Sequence, residues 1–342
     1  MRKTFSQIRA FAVLIIYLFC VPIAIAHSPI ISGDNGMLTE AMFIPDPTKS
    51  WAIYGELHGG RDVDYYRFEI EQGQRIYISL MKPANPEDNE FMPVLALMGS
   101  GLNSKGNIPD YVESQAGVNA VVVEGEEPPD TMYEPFAPSS FYQLAELDIP
   151  APNSGIYYIA VYGSTKGGHY SLAVGEREAF SGAEWILIPI KLISIYQWEG
   201  QSLFIIFLPI IAALASGIIF LWKKNSIPMS PFEWAGILSG LLFMGSGLSF
   251  LFQMALALSS THLVKEFMIT IILSLLHILL GIAAIRIVLI NREKVDIRKR
   301  AYLAILGILA LFVWAGFIVG SVLAAMASVM PSRKKEPVRK KI

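Results

Sequence analysis

Cysteine is all but absent. The 342 residues contain one, Cys20, inside an apolar run near the N-terminus. If that run is removed on export, no thiol remains for a disulfide, a thiolate zinc site or a cysteine nucleophile. Cys20 follows Leu18 and Phe19, where a lipoprotein signal wants a small residue, so lipidation is not expected. Charge is scarce as well. Only 16% of residues are charged and 53% are hydrophobic, which is too apolar for an ordinary soluble protein. Three catalytic signatures are also missing: Gly-x-Ser-x-Gly, His-Glu-x-x-His and a phosphate loop. Asp and Glu are plentiful, but one sequence does not show which of them face each other. An envelope-associated hydrolase is therefore only a third reading.

The charges and apolar runs that the chain does have are unevenly placed. From His27 to Gln201 there are 24 acidic and 9 basic residues, a balance of 9 − 24 = −15. From Ser202 to Ile342 there are 15 basic and 5 acidic residues, a balance of +10. The acidic half repels phosphate backbones, which argues against a nucleic-acid partner. Arg2, Lys3 and Arg9 precede an apolar core that runs to Ile25 and closes on Ala24-Ile25-Ala26. That is the pattern of a signal peptide over 1–26, and it predicts export of the domain that begins at His27.

Residues 27–180 read as an extracytoplasmic all-β domain, a sandwich or jelly roll. RFEI (67–70), RIYISL (75–80), VLALM (94–98), AVVVE (120–124), YYIAVYG (157–163) and YSLAVG (170–175) are short β-rich runs. Gly59-Gly60, Gly73, Pro128-Pro129, Asn153-Ser154-Gly155 and Gly167-Gly168 punctuate them. Within this domain Asp62, Asp64, Tyr66, Phe68 and Gly73 open one block. Gly155, Tyr157, Val161, Tyr170, Leu172 and Val174 close another. Together they resemble the bacterial pre-peptidase C-terminal domain over about 50–175. The resemblance implies a β-sandwich accessory module of secreted proteins, usually non-catalytic, with calcium bound in some members. The same residues also have a plain structural reading, in which the aspartates cap a turn and Tyr66 and Phe68 share a strand face with Asp64.

The stretch 181–202 carries Trp185 and Trp198 near its ends and Lys191 between them. It is read as an interfacial linker at headgroup depth, or as a strand packed on the sandwich. Four transmembrane helices are expected at about 203–222, 232–255, 267–290 and 301–329, in a multi-pass cell-membrane protein with its N-terminal domain outside. Lys223, Lys224 and the five cations of 291–300 then fall inside. The six cations of the tail 331–342 fall outside, against the positive-inside rule. Gly236, Gly240, Gly316 and Gly320 lie four apart in spans two and four and are expected to pack helices, within one bundle or between copies in a homo-oligomer. Arg286 and His277 are the notable ionisable groups within the spans, and His262 falls in an outer loop.

One sharper chemistry comes from the leader. Cleavage after Ala26 makes His27 the N-terminus, where amine and imidazole offer two nitrogens to one copper ion. With His58 or His169 they would form a histidine brace. Lytic polysaccharide monooxygenases and periplasmic copper-resistance proteins use this arrangement, and Met37, Met42, Met92 and Met98 would suit Cu(I) or simply the core. The leading expectation is a non-catalytic membrane-anchored binding module contacting lipid and an extracellular protein or glycan. Copper binding or transport is the alternative.

Overall fold

A computed structural model describes residues 27–163, 166–224, 229–290, 292 and 295–332. Residues 1–26, where a signal peptide is expected, and the tail beyond Ser332 lie outside the described residues. The N-terminal region is β-rich. Its eleven strands are β1 (Ser28–Ile31), β2 (Met42–Phe43), β3 (Trp51–Leu57), β4 (Val63–Ile70), β5 (Arg75–Pro83), β6 (Pro93–Gly99), β7 (Asn119–Glu124), β8 (Met132–Glu134), β9 (Ser139–Pro150), β10 (Gly155–Gly163) and β11 (Gly168–Val174). They form two sheets, one ordered β1-β3-β11-β5-β9-β8 and the other β2-β4-β10-β6-β7. Pairing is antiparallel except for β1 with β3 and β2 with β4.

Alternation explains the layering. Side chains along a strand point to opposite faces, so a period of two separates core from surface. Ile53, Leu80 and Leu172 of the first sheet meet Phe68, Leu97 and Ile159 of the second in one buried core. The outer face of the second sheet is covered too. Ile108, Tyr111 and Val112, from the long stretch after β6, lie over Tyr65, Met98 and Tyr162.

The outer face of the first sheet is covered by a helix, where the sequence reading expects an interfacial linker or a strand. This helix, α1 (Gly182–Trp198), starts at a capping box in which Ser181 and Glu184 satisfy each other's backbone N–H groups. It buries Ile188, Leu192, Ile195 and Tyr196 in a cluster with Ala52, Tyr54 and Phe141 of the head and Ile206, Phe250 and Trp314 of the helical region. The cluster is the joint of the molecule.

Three helices beyond it are long and apolar enough to cross a membrane: α2 (Leu203–Lys224), α3 (Pro231–Ala257) and α4 (Phe267–Leu289). The fourth expected span, 301–329, is not one helix. It is divided into α5 (Ile297–Phe312) and α6 (Phe317–Val329). Their 16 and 13 residues rise ~24 and ~20 Å at ~1.5 Å each, short of a ~30 Å hydrocarbon layer. They fold back on each other as a hairpin. A Cβ on Gly307 would lie 2.8 Å from the Ser321 carbonyl oxygen, and Arg300 at the start of α5 donates to the Ser328 and Met330 carbonyls at the end of α6, at 2.9 and 2.7 Å. Both ends of the hairpin therefore lie at one end of the bundle. The Phe232 amide, at the start of α3, reaches Pro331 O at that same end.

Glycine makes the helix contacts close. A Cβ on Gly240 of α3 would stand 2.7 Å from the Gly281 carbonyl oxygen of α4, and one on Gly236 would overlap Val288. Gly320 packs against Phe243. Gly316 also packs against Phe243, but it is not mid-helix as expected. It sits at the break between α5 and α6 with φ +70°, a left-handed conformation that favours glycine.

Candidate functional site

The three head histidines do not converge. His27 lies at the start of β3, where its Nδ1 bonds Ser50 Oγ and Ser28 pairs with Trp51. His169 pairs with Glu56 at the other end of that strand, and His58 follows Leu57. Ser50 and Glu56 are six residue steps apart, about 20 Å at ~3.3 Å per step, far beyond any common coordination shell. Each histidine also has its own partner. His58 Nδ1 and its amide face Asp62, and His169 Nδ1 and its amide face the buried Asp88. The brace expected from His27 with His58 or His169 is not formed. Among the described residues no group of three or more His, Cys, Asp or Glu is arranged to hold a metal. Of the four methionines, Met98 is buried, Met42 packs against the main core and Met37 is exposed.

The motif residues build a buried polar chain. Tyr170 donates to Asp64, Tyr66 donates to Tyr170 at 2.6 Å, and Ser32 Oγ lies 3.0 Å from the Tyr66 hydroxyl. Burial pushes the Asp64 carboxyl up to about 6, with the Tyr170 hydroxyl pulling the other way. Tyr157 donates back to the Asn153 and Ser100 carbonyls and so pins the turn before β10. Asp62 accepts from the His58 and Val63 amides, the turn-capping role expected of it. Asp64, by contrast, serves the core.

A cleft with several polar groups on its walls lies at the joint. The cleft holds about 230 Å³ between the head and the ends of α2 and α3. Asn85, Ser139, Glu199, Gln201, Gln253 and Ser260 contribute its polar wall. Each is positioned from a different element. Ser139 opens β9 and donates to the Glu199 carboxylate just past α1. Gln201 and Gln253 exchange amide hydrogen bonds at 2.8 and 2.9 Å, which ties the start of α2 to α3. Asn85 donates to the Glu199 carbonyl at 3.3 Å. Ser140 donates to Ala257 O and Thr131 to Ser260 O, both at 3.1 Å, so the head caps the C-terminal end of α3 directly. None of these residues stands out in the sequence, because each is an ordinary polar residue until the fold brings them together.

Trp185 and Trp198, placed by their sequence pattern at a headgroup interface, each have a fixed acceptor within the protein. Trp198 Nε1 donates to Gly55 O of β3 at 2.8 Å and stands edge-on to His169. Trp185 Nε1 donates to Phe312 O at 3.0 Å, while Trp314 Nε1 donates to Trp185 O at 2.9 Å. This reciprocal clasp joins α1 to the hairpin tip. The tip is strained, since Trp314 and Phe317 hold φ of 60° and 52°.

No family model matches the chain, and no curated protein matches it.

Burial raises both carboxyls at the joint, Glu134 and Glu199, up to about 7. A carboxyl that binds its proton more tightly when folded stabilises the fold at low pH. That contribution is full below the ordinary value of 4.5 and is lost as pH rises through about 7. His169, raised by its bond to Asp88, acts in the same direction; His27, lowered by burial, opposes it. Thermal stability in detergent should therefore rise on acidification from about pH 8 to about pH 5.5, with each glutamate contributing on the order of 1–2 kcal/mol. Substituting both glutamates with Gln should flatten the profile. A stability that falls over the same interval in the native protein would contradict this account of the joint.

Proposed function

We propose that this chain is a membrane-anchored extracytoplasmic binding module, with a non-catalytic β-sandwich head of the pre-peptidase C-terminal kind. The observation that carries the reading is the joint. The head is not tethered by a loose linker. It is seated on the bundle through α1, through the hydrogen bonds of Thr131 and Ser140, and through the 2.7 Å bond between Tyr133 and Thr270 of α4. A binding surface held in this way stays at a fixed height above the membrane, with its cleft facing the boundary.

The hairpin supports the sidedness. Lys223, Lys224, Arg292, Arg298, Lys299 and Arg300 belong to the end of the bundle away from the head, as does Ser332, where the basic tail begins. The loop 258–266 at the head end carries Lys265 as its one lysine or arginine. With α5 and α6 re-entrant, the excess of positive charge at one end agrees with the positive-inside rule, and the conflict raised by a fourth span disappears.

Single cysteines test this directly, because the only native thiol lies in the leader. Ser104→Cys in the head and Ser259→Cys after α3 should react with an impermeant maleimide in intact cells. Ser332→Cys should react only after permeabilisation. Protection of Ser104→Cys in intact cells would refute the extracytoplasmic head, and labelling of Ser332→Cys from outside would refute the re-entrant hairpin.

A further inference from the structure

We propose that the cleft at the joint holds the ammonium headgroup of a membrane lipid; the proposal rests on the extracytoplasmic binding reading and names its ligand. Three features point to that chemistry. The first is charge. The cleft is lined by the Glu199 carboxylate, whose partner is the Ser139 hydroxyl, and among the described residues no Lys or Arg lines it. It is also lined by Leu256 and Ala257, at the C-terminal end of α3, where the helix dipole is negative. A carboxylate beside a negative helix end selects a positive group.

The second feature is depth. Gln201 stands two residues before the first residue of α2, and Ser260 three residues after the last of α3. The cleft therefore opens where two apolar helices meet polar chain, at the level of lipid headgroups. Leu203, Phe204 and Leu256 are exposed beside it and supply an apolar path for an acyl chain. The third is size. At about 230 Å³ the cleft falls below the ~300–1,000 Å³ of pockets for drug-sized ligands. It suits a headgroup of a few atoms better than an oligosaccharide. The Asn85 and Gln201 amides and the Ser260 hydroxyl line the same cleft, where they can face the phosphate that accompanies an amine headgroup.

The walls are built to stay in place. Lys82, buried beneath the loop that carries Asn85, donates to the Asp88, Asn89 and Phe91 carbonyls at 3.1–3.3 Å. The Gln201–Gln253 pair fixes the opposite side. A ligand entering this cleft meets preformed partners, which lowers the ordering cost of binding.

The test uses the full-length protein in detergent micelles at about pH 8, where Glu199 is ionised. Short-chain phosphatidylethanolamine, phosphatidylglycerol and free phosphoethanolamine are titrated separately, with binding read by native mass spectrometry. Phosphatidylethanolamine should bind at least about tenfold tighter than phosphatidylglycerol. Glu199→Gln, nearly isosteric, should erase that preference. Ser260→Phe should narrow the cleft from a loop and weaken binding with Glu199 intact. Free phosphoethanolamine binding as tightly as the lipid would overturn the lipid source while leaving the amine chemistry. Equal binding of the two lipids, or an unchanged preference in a folded Glu199→Gln protein, would overturn the proposal. Neither result bears on the maleimide test of sidedness, so the two readings fail separately.

Discussion

His277→Phe should destabilise the bundle by about 2–4 kcal/mol even though phenylalanine fills the space and suits an apolar interior. The reason is the break between α5 and α6. Backbone groups freed inside a membrane have no water to turn to, so a broken helix persists only where protein satisfies it. His277 does this from α4. Its Nε2 lies 2.6 Å from Val313 O, and since a carbonyl only accepts, that nitrogen carries the proton. Nδ1 then carries no proton and lies 3.2 Å from Ser246 Oγ, whose hydroxyl donates to Phe243 O at 2.8 Å. The same Ser246 oxygen accepts from the Gly316 amide at 2.8 Å. One histidine and one serine thus serve both sides of the break, and a phenylalanine leaves Val313 O without a donor. His277→Gln places an amide N–H near the position of Nε2 and should recover part of the loss. Thermal unfolding in detergent, followed by tryptophan fluorescence, reads the difference because Trp314 lies at the break. If Gln falls as far as Phe, the donor to Val313 is not what holds the hairpin. Ser246→Ala combined with His277→Phe should cost less than the sum of the two, since both act on one four-residue turn.

That break marks the limit of what the chain reveals unfolded. The six β-rich runs from RFEI to YSLAVG lie in strands except for the last residue, Gly175, because alternation and branched side chains report a half-buried sheet directly. β9 escapes the pattern although it has 12 residues, since Ser139, Ser140, Gln143, Glu146 and Asp148 dilute its apolar positions. The three long spans are legible from length and hydropathy. The division of the fourth is not, because Val313-Trp314-Ala315-Gly316 contains no proline and stays apolar throughout. The only hint is the misplaced charge of the tail, a long-range signal that names no residue. In α1 the capping box of Ser181 and Glu184 is readable, but Pro189 inside the segment and apolar residues on every side hide the helix. The cleft is wholly illegible. Asn85, Ser139, Glu199 and Gln253 are spread over 253 − 85 = 168 positions and meet only because α1 folds back under the first sheet.

Lys82→Met should cost the head about 3 kcal/mol or more, and far more than removing the charge of its ion-pair partner. Lys82 is 1% exposed, and its Nζ sits 2.6 Å from Glu127 Oε2. The ion pair is the obvious account of a buried lysine, but it is the smaller part. Glu127 is 37% exposed and can be rehydrated when the amine is lost. The Asp88, Asn89 and Phe91 carbonyls converge on the same ammonium at 3.1–3.3 Å, and the bonds to Asp88 and Phe91 are buried. Without it the Asn89 and Phe91 carbonyls lose their lysine donor and the Asp88 carbonyl keeps only the Phe91 amide, with a desolvation penalty for each buried acceptor. Asp88 is also the residue that holds the His169 amide and ring, so the disturbance should reach the edge of β11. Glu127→Gln leaves the carbonyl cage intact and should cost about 1 kcal/mol or less. The two variants are compared by chemical denaturation of the full-length protein, with hydrogen exchange at the His169 amide as a local readout. Faster exchange there in Lys82→Met, and none in Glu127→Gln, is the expected pattern. Equal losses from the two substitutions would mean that the ion pair, and not the carbonyl cage, organises the loop that forms one wall of the cleft.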